Sequence, residues 1–111
     1  MSINILAFSK DLVAKRLKEA RLRANLSQKK LGIAAGIDEF SASARMNQYE
    51  TGRHVPDLLT LKQISKVLNV PIAFFYAEED LLSEFLIIYE YLSKPSRAEL
   101  VSSAKKLVKH H

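Results

Sequence analysis

Between Ser27 and Gly52 the chain has to start a helix, stop it, turn, and start another, and few folds accommodate that spacing. Ser27 is suited to an N-cap, because its hydroxyl can accept from a free backbone N–H in the first turn of a following helix. Gly36 offers the left-handed residue at which that helix can stop. The predicted helix therefore runs from Gln28 to Ala35, with Leu31 facing inward and Gly32, Ala34 and Ala35 small enough for close helix approach. Gly32 costs about 1 kcal/mol of helix propensity against alanine, so tight packing is the expected compensation. After a turn over Ile37 to Phe40 the residues Ala42, Met46 and Tyr49 share one face of a second helix. Extending that helix backwards would put Phe40 on its outer face, so the helix is expected to begin near Ser41, with Phe40 folding back onto the core. A longer helix capped by Asp38 is the alternative.

The flanking segments are helical as well. From Lys10 to Ala24 the positions Val13, Leu17, Ala20 and Ala24 draw one apolar stripe, with Lys15, Arg16, Lys18 and Arg23 on other faces. Asn25 can end this helix in a left-handed conformation, and Leu26 returns the chain to the core. Residues 2 to 8 are an arm, a frayed end or a first turn. Downstream, Thr51-Gly52-Arg53 closes the second short helix, and Pro56-Asp57 opens the next, whose inward stripe is Leu61, Ile64 and Leu68 with Asn69 at its end. Pro71 is placed to start a short fifth helix in which Phe74 and Phe75 close the core.

The tail differs in character. Glu78-Glu79-Asp80 set negative charge where a helix dipole favours it, and LLSEFLIIYEYL then follows, apolar nearly all round. A lone surface helix cannot bury all of those side chains. Pro95 and Ser96 interrupt it, with Ser96 and Glu99 spaced as a capping box or Ser93 capping instead. The final helix carries Leu100, Val101, Ala104, Leu107 and Val108 on one stripe and Lys105, Lys106 and Lys109 outside it. The pair reads as an antiparallel hairpin packing on a second subunit through those residues together with Leu82, Phe85, Leu86 and Tyr89. Packing against the chain's own body is the alternative. The expected organisation is residues 1–77 as one unit and 78–111 as an appended dimerisation segment.

Composition narrows the function classes. In 111 residues there is no cysteine, and the histidines are His54, His110 and His111. Thiolate metal sites, cysteine nucleophiles and disulfides are excluded, and no glycine-rich phosphate loop or catalytic constellation is evident. The expectation is no enzyme, no metal and no cofactor. No apolar run reaches membrane-spanning length and the N-terminus lacks the pattern of a secretion signal, so a cytoplasmic location, on the nucleoid when DNA-bound, is expected.

Charge is uneven: residues 1–30 carry eight basic against two acidic groups and residues 91–111 five against one, flanking an acidic middle. Basic ends of this kind suit a polyanion, because Lys and Arg on phosphates release condensed counterions.

Taken together, Leu17, Arg21, Leu26-Ser27-Gln28, Leu31, Gly36, Tyr49-Glu50-Thr51-Gly52, Pro56, Leu61 and Leu68 resemble the lambda-repressor-like helix-turn-helix family of Cro and phage repressors, the XRE type, over roughly residues 10 to 76. The resemblance implies an all-α, five-helix DNA-binding domain ahead of the C-terminal helical hairpin. It implies that Gln28 touches a phosphate and that Ser43, Ala44, Arg45 and Gln48, with Asn47 beside them, face the major groove. Lys29, Lys30, Arg53 and His54 are then phosphate neighbours, and Arg21 pairs with Glu50. The chemistry suits base reading, since Gln can bond adenine at two points and Arg guanine. The chain departs from the family at Asp38 to Ser41, which look like an insertion in the turn. The reading is a dimeric transcriptional regulator, a repressor of bacterial or phage origin on a near-palindromic site. An antitoxin that grips a toxin through its apolar tail and represses its own promoter is the alternative.

Overall fold

The computed structural model describes residues 5–110 and is helical throughout, with no strand among the described residues. Helix α1 spans Ile5–Arg23, α2 Gln28–Ala34, α3 Ala42–Glu50 and α4 Leu58–Leu68. A 3-10 helix, Ile72–Tyr76, follows, then α5, Asp80–Tyr91, and α6, Lys94–Lys109. The expected boundary signals operate as capping chemistry. Ser27 accepts from the Lys30 backbone N–H at 3.0 Å and Asp57 from that of Thr60 at 2.8 Å. Asn25 and Asn69 take positive φ of 59° and 56°, closing α1 and α4 through left-handed residues. Gly36, at φ 92°, turns the chain after α2.

One core unites these elements. Val13, Leu17 and Ala20 of α1 meet Leu31 and Ala35, then Ala42, Met46 and Tyr49 of α3, then Leu61, Ile64 and Leu68 of α4, with Phe74 and Phe75 packed edge to face beneath. The α2–α3 crossing is close because Gly32 lacks a side chain: a Cβ built there would lie 2.8 Å from the Ala42 Cβ. Close packing thus offsets the propensity that glycine loses in a helix.

Several expectations need correction. Residues 2–4 lie outside the described residues, but α1 already begins at Ile5, not Lys10, and ends at Arg23, leaving Ala24 exposed beyond it. Helix α2 is shorter than expected by its last residue: Ala35 is its C-cap, and Ala34 faces solvent. Phe40 does not fold back; it is 93% exposed. At Gly32 and Ala42 the two helices already meet closely, and the turn, held by the Ser41 N–H to the Asp38 carbonyl at 3.0 Å, carries the ring outward. Ser41 precedes α3 without capping it, and its hydroxyl donates instead to Asp38 at 3.2 Å. Pro71 precedes the 3-10 helix and is not its first residue. Ser93, not Ser96, caps α6, and Pro95 sits in that helix's first turn, where its missing N–H costs nothing.

Arg16, expected on an outer face, is only 1% exposed. Val13, Arg16, Leu17 and Ala20 form one continuous stripe, so the guanidinium points into the body. There its Nε donates to the Ala77 carbonyl at 2.9 Å, Nη2 to the Glu78 carbonyl at 3.4 Å, and Nη1 to Asp80 and Glu19, both at 3.0 Å. Each of the three guanidinium nitrogens finds an acceptor, which makes burial of the charge tolerable. Arg16 thereby latches α1 to the segment from which α5 springs.

Helix α5 lays Ser83 and Ile87 against the body, beside the 3-10 helix. Leu81, Leu82, Phe85 and Ile88 remain exposed on its other side. Leu86 and Tyr89, expected in a subunit interface, are half-buried within the chain. The two C-terminal helices, joined at Leu92 and Ser93, do not lie flank to flank as an antiparallel pair. Arg97 braces the corner, donating to the carbonyls of Tyr89 at 2.9 Å and Glu90 at 3.0 Å, its guanidinium 4.6 Å from the Tyr89 ring centroid. Beyond that corner α6 has no buried residue. The projection stretches the molecule to 53 Å and gives a radius of gyration of 16.0 Å, against about 13 Å for a compact chain of this length.

Candidate nucleic-acid interface

Helix α3 is two-faced. Ala42, Met46 and Tyr49 are buried, while Ser43, Ala44, Arg45 and Asn47 are exposed and Gln48 is half-exposed. Its outer face therefore presents a hydroxyl, a methyl, a guanidinium and two amides in less than three turns.

The helix is held from behind by a polar network. Arg21 of α1 donates from Nε to Glu50 Oε2 at 2.6 Å and from Nη2 to Oε1 at 3.0 Å, with Nη1 on the Leu26 carbonyl at 2.9 Å. Both side chains are largely buried, at 11% and 3% exposure. The hydrogen bond to Glu50 pushes the Arg21 pKa up, outweighing the opposing effect of desolvation. Gln28, at the start of α2, donates to Glu50 Oε1 at 3.3 Å and to Asn47 Oδ1 at 3.4 Å. One carboxylate thus ties together the ends of three helices, and it fixes the angle at which α3 is presented. Thr51, which follows α3 as the Thr51-Gly52-Arg53 stop requires, donates its hydroxyl to the Asn47 carbonyl at 2.8 Å and secures the last turn. A hydroxyl four residues beyond its acceptor is the signal for such a bond.

Around α3 lie the cations expected near phosphate. Lys29 and Lys30 are exposed on the first turn of α2, and Arg53 and His54 are exposed just past α3. The backbone N–H groups of Arg53 and His54 both donate to the Gln48 carbonyl, at 3.0 and 3.2 Å, so this loop folds back over the end of the helix. Arg45, Gln48, His54 and Asp57 line one open concavity. Asp57 is held below the ordinary carboxylate range chiefly by the Thr60 N–H, with the positive charge of Arg45 adding to the effect. Asp38 and Glu39 are exposed in the turn ahead of α3.

The basic character of α1 is largely consumed internally. Arg16 and Arg21 are committed to the bonds above, Lys15 lies 3.5 Å from Asp80, and the Arg23 guanidinium lies 5.8 Å from the Phe74 ring centroid. The charge available to a polyanion near the reading face is therefore on α2, α3 and the loop after α3. Among the described residues no cluster of His, Asp or Glu is arranged to hold a metal ion, and no helix is long and apolar enough to cross a membrane.

No family model matches the chain. Two proteins described as uncharacterised HTH-type transcriptional regulators, from Sinorhizobium medicae and Rhizobium meliloti, are each 33% identical over 66 residues, which is 60% of this chain. The chain spans 45% of the length of those relatives. The crystal structure of the transcriptional regulator BswR superposes with a TM-score of 0.80 at 46% identity, covering 87% of this chain and 96% of that one. The shared helical framework and the sequence agreement along nearly the whole of BswR place this chain among the helix-turn-helix transcriptional regulators.

Proposed function

We propose that the chain is a sequence-specific DNA-binding regulator of the lambda-repressor-like type, acting as a homodimeric repressor in the cytoplasm. The observation that carries the reading is α3 itself, whose outer face displays Arg45 and Asn47, with Gln48 at its edge, while Arg21, Glu50 and Gln28 fix it from behind. Arg45 would bond guanine O6 and N7, and Gln48 adenine N6 and N7, with Ser43, Ala44 and Asn47 completing the contacts to base edges. Gln28, Lys29, Lys30, Arg53 and His54 would rest on phosphates and set register without reading sequence.

In this reading residues 1–77 read DNA and 78–111 pair the subunits. Among the described residues, half of the large exposed apolar side chains lie on α5 and α6, a concentration that supports a partner surface there. Two paired subunits would set their α3 helices about 34 Å apart and read a two-fold site.

Selection of bound fragments from sheared genomic DNA, followed by sequencing, tests this directly. The expected result is an enriched motif with two inverted half-sites one helical turn apart. Uniform recovery of all fragments would overturn sequence specificity, and a single unpaired half-site would overturn the paired mode of reading.

A further inference from the structure

The tail's two helices carry opposite charge. Residues 78–91 contain five acidic and no basic side chains, while α6 contains five basic and one acidic. Both helices also leave apolar side chains uncovered, Leu81, Phe85 and Ile88 on the first and Val101, Leu107 and Val108 on the second. Complementary amphipathic surfaces of this kind would pair, but within the chain they do not lie along each other. The Arg97 brace on the Tyr89 and Glu90 carbonyls holds the corner splayed.

The inner side of that corner is a groove lined by Tyr89, Lys94, Arg97, Ala98, Val101 and Lys105. Its lining combines the apolar Ala98 and Val101 with the cationic Lys94 and Lys105, so it suits an acidic amphipathic helix. A second copy of α5 is such a helix. Pairing α6 with α6 would instead bring two strongly basic helices together, which is unfavourable.

We propose that two copies of the chain pair reciprocally, the open face of α5 in each seated in the α5–α6 corner and along α6 of the other. The inference rests on the homodimer proposed above and specifies which surfaces meet. It also makes each charge contact occur twice, as two-fold symmetry requires of an isologous interface.

The test uses the full chain and two exposed positions, Glu84 and Lys105, neither of which takes part in an ion pair or a side-chain hydrogen bond among the described residues. Sedimentation velocity of the wild type, Glu84→Lys and Lys105→Glu is measured across a micromolar series, with helicity checked by circular dichroism. Each substitution should weaken pairing about tenfold at low salt, since two attractive contacts become repulsive. An equimolar mixture of the two variants should then pair as tightly as wild type. In the mixed dimer the two substituted positions meet with their charges exchanged at one contact, and at the other Glu84 meets Lys105 as in the wild type. Mixed variants that pair no better than either alone, with wild type dimeric, would overturn the reciprocal arrangement and leave the dimer standing. A wild type that stays monomeric throughout would remove the dimer itself, and with it this inference.

Discussion

Arg21 and Glu50 face each other across the α1–α3 contact as a two-point pair, with Nε 2.6 Å from Oε2 and Nη2 3.0 Å from Oε1. With both side chains nearly out of solvent, the pair gains little net stability, because desolvation offsets most of the attraction. Its value lies in direction, since a carboxylate gripped at both oxygens allows α3 only one orientation.

Glu50→Ala would strand the Arg21 charge, at a cost of about 3–5 kcal/mol, read as a fall in the urea midpoint. Arg21→Met with Glu50→Leu should recover most of that loss, since apolar replacement of a whole buried pair is often neutral. DNA affinity of the double variant should stay below wild type, because the end of α3 then loses its two-point grip on α1 and Gln28 keeps only its 3.4 Å bond to Asn47. Full recovery of both stability and affinity would show that the pair does not orient the helix.

Gly32→Ala separates propensity from packing. Alanine gains about 1 kcal/mol as a helix residue, but its methyl would meet the Ala42 Cβ at 2.8 Å and the Ala42 carbonyl oxygen at 3.1 Å. Overpacking of that kind costs about 1–3 kcal/mol, so the net change should be destabilising, and relief requires α3 to shift. Chemical denaturation showing a stabilised variant would mean that the crossing has slack.

Much of this architecture is legible because caps and apolar stripes are local. Ser27, Asn25, Asp57 and Asn69 act where their chemistry places them, and the stripes of α3 and α4 form the core. What escaped depends on distant partners. Arg16 lies on the Val13–Ala20 stripe, a position that could have marked it as inward, but its acceptors at Ala77 and Glu78 are remote in sequence. Treating a charged residue as outward by default hid the latch. Phe40 departs in the opposite sense: expected on the core, it is left 93% exposed by the Asp38–Ser41 turn, with α2 and α3 already in close contact at Gly32 and Ala42. The splayed α5–α6 corner rests on Arg97 reaching back to backbone carbonyls, which no periodicity announces.

Asp80 makes the latch sensitive to acid. Hydrogen bonding from Arg16, then the charge of nearby Lys15, holds its pKa below the ordinary value of 3.8. A carboxyl depressed in the folded state adds stability that is fully present above the unfolded pKa and is lost as pH falls through the folded one. Asp80→Asn should therefore be less stable than wild type at neutral pH, with the gap closing below pH 3.8. The Asp80 side chain is 82% exposed, so the gap at neutral pH should also shrink in high salt. A gap that persists unchanged into strong acid would mean that the effect does not come from the Asp80 charge.

Gln48 and Lys29 should fail in different ways if α3 reads bases while α2 holds the backbone. Gln48 lies at the edge of the outer face of α3, and its side chain forms no hydrogen bond within the chain among the described residues. Gln48→Ala should cost about 1–3 kcal/mol at one base pair and relax preference there, with little change at other positions. Lys29, exposed on the first turn of α2, should contribute through phosphate alone. Lys29→Ala should weaken binding to every sequence alike and lower the salt slope by about one. Fluorescence anisotropy on the selected site, its single-base variants and a scrambled duplex, repeated across a salt series, separates the two. Loss of base preference in Lys29→Ala, or a uniform loss in Gln48→Ala, would reverse the assignment of reading and anchoring between the two helices.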